Sequence, residues 1–198
     1  KMPAVAMTDH ANMMGAFHFV NGVINHNKGV VSRNEANLKR YEATQNGTLE
    51  EGEEPLNELP EPEIEITPII GCEFQVCEDH TNKSQKDNGY QIVMLAKSKK
   101  GYLNLAKMSS IAFVSGKYYV PRIDKKVVEQ YKEDVMVLTG NLYGEVPSKV
   151  LNVGENQAEE ALIWWKETFG DDLYIEIMRH GQEDEDRVNQ VLIQFAKK

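Results

Sequence analysis

The apolar positions of the chain change period several times, and each change marks an expected element. Pro3 to Met7 form a short apolar run that stops at Thr8-Asp9-His10, the pattern of a buried strand. Met13, Phe17, Val20 and Ile24 recur at steps of four and three, which places them on one face of a helix over 13–24. An alternating, β-rich run over 69–76 predicts a strand. A polar turn follows, and 90–96 contains a continuous apolar strand of the kind buried on both faces of a parallel sheet. Helical spacing returns over 99–113, with Tyr102, Leu105, Met108 and Ile111 on one face. A short extended piece carrying Pro121 leads to Asp124, a good N-cap for a helix through Tyr131. The rest reads as strand (134–139), short helix (143–151), amphipathic helix (156–169), strand (173–178) and a final helix (184–198).

Strands alternating with helices imply an α/β domain with a mainly parallel sheet. No Gly-rich phosphate loop interrupts the pattern, which favours barrel-like closure over a nucleotide-binding doubly wound sheet. No fixed-period repeat is present. A chain that opens directly on a strand suggests that the domain starts earlier.

The segment 25–67 breaks the alternation. It holds Gly29, Asn46-Gly47, Gly52, Pro55, Pro60 and Pro62 among polar residues. A helix over 34–44 is expected; the remainder, low in apolar content, reads as a mobile insertion loop. Eight Glu fall between positions 50 and 65 without a Lys or Arg. Such a run is a solvated loop or an acidic arm that meets a partner.

Charge and cysteine usage narrow the function. With a formal net charge of −9, the chain lacks the clustered cations that grip duplex DNA through its phosphates. Cys72 and Cys77 fit no zinc pattern; five residues apart on a strand they face opposite sides, which argues against a disulfide and for a reducing, cytoplasmic setting. No apolar run approaches the roughly 18 to 20 residues that span a bilayer, and no signal pattern opens the chain.

In a parallel α/β barrel, chemistry gathers where strands end. The polar residues there are Asp9, His10, Glu73, Asn141, Arg179 and His180. A His with carboxylates from separate strands is what a multinuclear metal centre needs. Bland roles exist for each: Asp9 and His10 can cap the following helix, and His180 can be a turn residue before Gly181. Glu73, between Cys72 and Phe74, needs a partner or a metal, because a lone buried carboxylate is costly. His18, His26 and His80 fall on a helix face or in loops and receive no role.

Several segments together resemble the N-terminal PHP domain of bacterial replicative DNA polymerases, the DNA polymerase III alpha subunits. They are Thr8-Asp9-His10, Gly71-Cys72-Glu73-Phe74, Gly101-Tyr102-Leu103-Asn104, Tyr119-Val120-Pro121-Arg122, Leu138-Thr139-Gly140-Asn141, Leu173-Tyr174-Ile175-Glu176 and Arg179-His180-Gly181. Their order and spacing cover nearly the whole chain outside 25–67. The resemblance implies a distorted seven-stranded, TIM-like α/β barrel, incomplete at both ends over 1–198. It implies a site for zinc, manganese or iron in which His10 is a metal ligand, Glu73 a bridging carboxylate and Asp9 the residue that orients His10. Two positions depart from active members: Gln91 stands where they carry a His, and Asn141 where they carry a Cys or His. Amides are poor ligands for such ions.

The expected function is therefore a metal-degenerate, structural domain without catalytic residues of its own. Its parent would be a DNA-directed DNA polymerase, a nucleotidyltransferase using magnesium. Partners would be the remaining polymerase domains, DNA through the parent chain, and a proofreading exonuclease subunit. An active metal-dependent 3′–5′ proofreading phosphoesterase is the alternative. A phosphatase of the histidinol-phosphate type shares the fold, but 101–108 and 119–122 resemble the polymerase branch.

Overall fold

The computed structural model describes residues 2–198. In chain order the elements are β1 (Ala4–His10), α1 (Ala16–Asn46), β2 (Thr67–Cys77), β3 (Tyr90–Ala96), α2 (Lys99–Val114), β4 (Arg122–Asp124), α3 (Lys125–Tyr131), β5 (Val135–Leu138), α4 (Glu145–Asn152), α5 (Glu155–Phe169), β6 (Leu173–Tyr174) and α6 (Glu183–Phe195). No helix among the described residues is long and apolar enough to cross a membrane.

The strands form one six-stranded sheet in the order β1-β2-β3-β5-β6, with β4 paired to β2. β2 and β3 run antiparallel, as do β3 and β5, whereas β2–β4 and β5–β6 are parallel. The expectation of a mainly parallel sheet is thus corrected to a mixed one. The 78–89 connection between β2 and β3 contains no helix, so the chain folds straight back beside its predecessor. Between β5 and β6 the helices α4 and α5 supply the crossover that a parallel pair requires.

The chain divides into two compact units. The smaller takes in the residues up to Ala6 together with Gly15–Ile69, and the larger takes in Met7–Met14 and Ile70–Lys198.

In the larger unit the strand alternation sorts side chains cleanly. Cys72, Phe74, Val76, Ile92, Met94, Val135 and Val137 point into a core completed by Leu105, Met108, Val128, Val150, Trp165 and Leu192 from the helices. On β3, Ile92 and Met94 are buried while Gln91, Val93 and Leu95 are half-buried, so the strand is covered fully on one face, not on both. Helix starts follow the expected chemistry: Ser98 caps α2 through the N–H groups of Lys100 and Gly101, and Asp124 caps α3 through that of Val127. Gly101 is required because a Cβ there would overlap the Asp134 carbonyl where α2 crosses the approach to β5. Both cysteines are free and buried; burial pushes the Cys77 thiol up to about 11.

Among the buried charged groups, Glu145 and Arg122 have the widest sets of partners. Glu145 of α4, 5% exposed, accepts from Trp165 Nε1 at 2.8 Å and pairs with Lys125 and Lys149 at 3.0 and 2.9 Å. Burial pushes its carboxyl up, but the bonds and charges of Lys149 and Lys125 outweigh that and hold it below the usual range. Arg122 is fully buried. Its guanidinium donates to the carbonyls of Gly116 (3.1 Å), Asp87 (2.7 Å), His80 (3.3 Å) and Asn82 (3.0 Å), so one side chain on β4 fixes the 78–89 turn.

The smaller unit corrects the reading of 25–67. α1 is one 31-residue helix ending at Gly47, whose φ of 68° gives a left-handed cap, so residues 25–46 are helical and not part of a loop. The return segment has no regular secondary structure, yet it is tied to α1 along its length. Asn34 donates Nδ2 to the Glu63 carbonyl (2.8 Å) and accepts the Glu63 N–H (2.9 Å); Asn27 does the same with Ile66, at 2.8 and 2.9 Å. Thr44 Oγ1 accepts the Leu56 N–H at 2.9 Å, and Arg33 grips Glu63 through two bonds. A side-chain amide carries both a donor and an acceptor and can stand in for a neighbouring strand. Hydropathy does not register that capacity.

Replacing Arg122 with Met should leave four carbonyls without their donor. We expect unfolding free energy to fall by about 3 kcal/mol, read as a lower urea midpoint, with first protease cleavage moving into 78–89. An unchanged midpoint would refute this account of the turn.

Candidate functional site

Paired residues in a sheet point to the same side, and the register joins Glu73 to Val93 and Gln75 to Gln91. It continues from Val93 to Leu138 and from Leu138 to Tyr174. Glu73 and Gln91 therefore lie on the sheet face opposite the core. His10, at the end of β1, reaches the same place: its Nδ1 lies 2.8 Å from Glu73 Oε1, with the two side chains 48% and 21% exposed. The Ala11 N–H donates to the Glu73 carbonyl at 2.7 Å, holding the end of β1 beside β2. Glu73 thus has the partner its position requires.

The two amides meet as well. Asn141 Nδ2 donates to Gln91 Oε1 at 3.0 Å, and Asn141 Oδ1 accepts the Tyr143 N–H at 2.8 Å. Backbone bonds from Gln91 N–H to Tyr143 O and from Gly144 N–H to Asn141 O close this turn against β3. Gly140, at φ 81°, permits the approach, since a Cβ there would run into the Gln91 carbonyl.

A residue that sequence reasoning left out joins them. Glu176 stands just past β6, its N–H bonded to Thr139 Oγ1 at 2.9 Å. Its Oε2 is buried without a hydrogen-bond partner. Burial and the nearby charge of Glu73 raise its pKa, and a bond from the Gly140 backbone only partly offsets them. The signal was present in Leu173-Tyr174-Ile175-Glu176, where alternation puts Glu176 on the side of Tyr174.

Asp9 lies elsewhere. Strand alternation turns it away from His10 to the opposite face, where its charge acts on Cys72. No hydrogen bond joins Asp9 to His10 among the described residues; the partner of the imidazole is Glu73. His180 also acts locally. Its Nδ1 and backbone N–H both bond the buried Glu185 at 2.6 Å, in the first turn of α6.

A profile of the PHP domain family matches residues 1–180. The chain belongs to the PHP domain family. It is similar to proteins named DNA polymerase III subunit alpha. That of Borreliella burgdorferi is 32% identical over 99% of this chain and that of Thermus aquaticus 32% over 99%. That of Deinococcus radiodurans is 29% identical over 98%. The chain spans only 12 to 14% of the length of these relatives.

Within this PHP domain one His and carboxylate group among the described residues brings its ligand atoms within 4.8 Å of one another: Asp79, His80 and Asp124. It lies away from His10 and Glu73, and both Asp124 oxygens and Asp79 Oδ1 are already engaged. Asp124 caps α3 through Oδ1, while its Oδ2 accepts from His80 Nδ1 at 2.6 Å and from the His80 N–H at 3.3 Å. Asp79 Oδ1 closes a local turn with Thr81. The group anchors the 78–89 turn alongside Arg122. Burial pushes the Asp124 carboxyl up, but the His80 hydrogen bond and the Val127 and His80 N–H groups outweigh it and hold its pKa below the ordinary aspartate value.

A carboxyl depressed in the folded state stabilises it fully above the ordinary Asp range, and that contribution is lost as pH falls through the lower folded value. Asp124→Asn should therefore flatten the acid limb of the stability curve below about pH 4 and cost about 1 kcal/mol at pH 7. Parallel curves for variant and wild type would count against the assignment.

Proposed function

We propose that this PHP domain forms the N-terminal part of the alpha subunit of a bacterial replicative DNA polymerase and serves there as a scaffold with a degenerate metal site. The relatives' names and the small share of their length that the chain spans support the first half. DNA synthesis, its magnesium and its catalytic carboxylates would belong to other domains of that parent, working in the cytoplasm. Those domains and a proofreading exonuclease subunit would be the partners. In the parent the open six-stranded sheet would close into the seven-stranded barrel, with 25–67 as an addition to it.

The observation that carries the second half is the bond between Asn141 and Gln91. Gln91 Oε1 accepts from Asn141 Nδ2, and Asn141 Oδ1 accepts from the Tyr143 N–H. Both amide oxygens, the only metal-ligating atoms those side chains offer, are already engaged. Among the described residues His10, Glu73 and Glu176 are the donors on this face, with His10 and Glu73 satisfying each other. Neither amide would add an imidazole or a thiolate to a centre of zinc, manganese or iron. The pairing gives the face hydrogen-bonded closure instead. Asp9 would then support β1 from its other side.

A second reading has one observation in its favour. The unpartnered buried Oε2 of Glu176, beside Glu73, is what a cation or a proton would satisfy. With His10 and Glu73 it would form the remnant of an active proofreading phosphoesterase.

The full-length polymerase separates the two. Under the scaffold reading it purifies without stoichiometric zinc or manganese, and His10→Ala leaves both 3′-end digestion and polymerase activity within twofold of wild type. Gln91→His with Asn141→Cys should raise zinc content toward one equivalent or more. Stoichiometric metal in the unaltered protein, together with nuclease activity abolished by His10→Ala, would establish the phosphoesterase instead.

A further inference from the structure

The smaller unit carries a feature that neither the metal site nor the barrel explains. Phe17, Ile24, Val31 and Leu38 follow one another at intervals of seven along α1, and all four are exposed, at 75, 45, 39 and 45%. Three heptads of helix place this row over about 30 Å. A row of that length is unusual on a free surface, where apolar residues are normally scattered singly.

The return segment turns the row into a groove. Asn27 and Asn34 hold Ile66 and Glu63 beside the helix, so the segment forms the second wall. One stretch of the groove, about 400 Å³, lies between Ile24, Lys28 and Val31 on the helix side and Glu65 on the other. The next, about 250 Å³, lies between Leu38 and Leu59, Pro60 and Pro62. Glu35 borders both. Leu59 and Ile64 on the segment are themselves 46 and 43% exposed. The result is a trough of mixed lining, with a seven-residue apolar repeat along one wall and a rim where Glu35 and Glu65 outnumber Lys28.

Charge selects the occupant. Gly15–Ile69 contains four Lys or Arg against ten Glu, and no Lys or Arg occurs from position 41 to 82. A second copy would bring two such acidic rims together. A helix with apolar residues at heptad spacing and Lys or Arg on its flanks would match both the repeat and the charge. We infer that this groove docks a basic amphipathic helix of a partner protein. The inference stands whether or not the His10–Glu73 face ever holds a metal.

Fluorescence anisotropy with the full-length polymerase tests it. The probe is a fluorescein-labelled 21-residue helical peptide carrying Leu at the a and d positions of three heptads and Lys on the flanks. Binding should weaken at least tenfold in Val31→Asp and again in Leu38→Asp. Both changes add negative charge, so attraction driven by net charge alone would strengthen instead. Glu58→Gln, Glu61→Gln and Glu65→Gln together should weaken binding severalfold and reduce its salt dependence, whereas Glu129→Gln, Glu160→Gln and Glu167→Gln should not. Equal binding of a peptide with Glu in place of Lys, unaltered binding by both Asp variants, or no binding at all would overturn the inference. So would self-association of the polymerase that Val31→Asp abolishes, since the groove would then belong to a second copy. None of these outcomes bears on metal content or 3′-end digestion, so the two readings fail separately.

Discussion

Alternation along β2 and β3 is the constraint on which the larger unit depends. Successive side chains must point to opposite faces, so Cys72, Phe74 and Val76 enter the core only if Glu73 and Gln75 leave it. The same holds for Ile92 and Met94 against Gln91 and Val93. Pairing then transmits the choice from strand to strand, since partners in register share a face. One decision about burial therefore gathers Glu73 and Gln91 on a single face, beside Val93 and Leu138. A one-residue slip of β2 would drive Glu73 into the core and scatter the group.

The buried charges follow a related logic. Arg122 and Glu145 are both buried, and each is engaged by several groups, most of them twenty or more residues away. Burying a charge is tolerable only with such engagement. The arrangement converts a penalty into specificity: the 78–89 turn and the α4–α5 contact each have one arrangement that satisfies the charge. The face away from the core is different in kind. There Glu176 keeps an unpartnered oxygen, and the two amides of Gln91 and Asn141 bond to each other.

The smaller unit shows how polar residues can organise a chain that lacks a hydrophobic driving force. Asn27, Asn34 and Thr44 satisfy the backbone of the return segment one bond at a time. That leaves Phe17, Ile24, Val31 and Leu38 of α1 free to face outward. The exposed heptad row and the acidic rim are two results of the same economy, because the segment that carries the glutamates is held by amides rather than by burial.

Much of this was legible in the residues themselves. Periodicity located the strands and most helices, Asp124 announced the start of α3, and the order of short segments around Thr8-Asp9-His10 and Leu138-Thr139-Gly140-Asn141 pointed to the PHP family. These are local properties, written in spacing and side-chain type. The extent of α1 was not legible, because a helix clasped by its own return segment needs no strongly amphipathic pattern. Strand direction was not legible either, since antiparallel and parallel neighbours share the same alternation. Glu176 and the Asn141–Gln91 bond emerged only from the tertiary structure. Residues 37 and 50 positions apart become neighbours through strand register, and register is fixed by the burial of the whole sheet rather than by any segment alone.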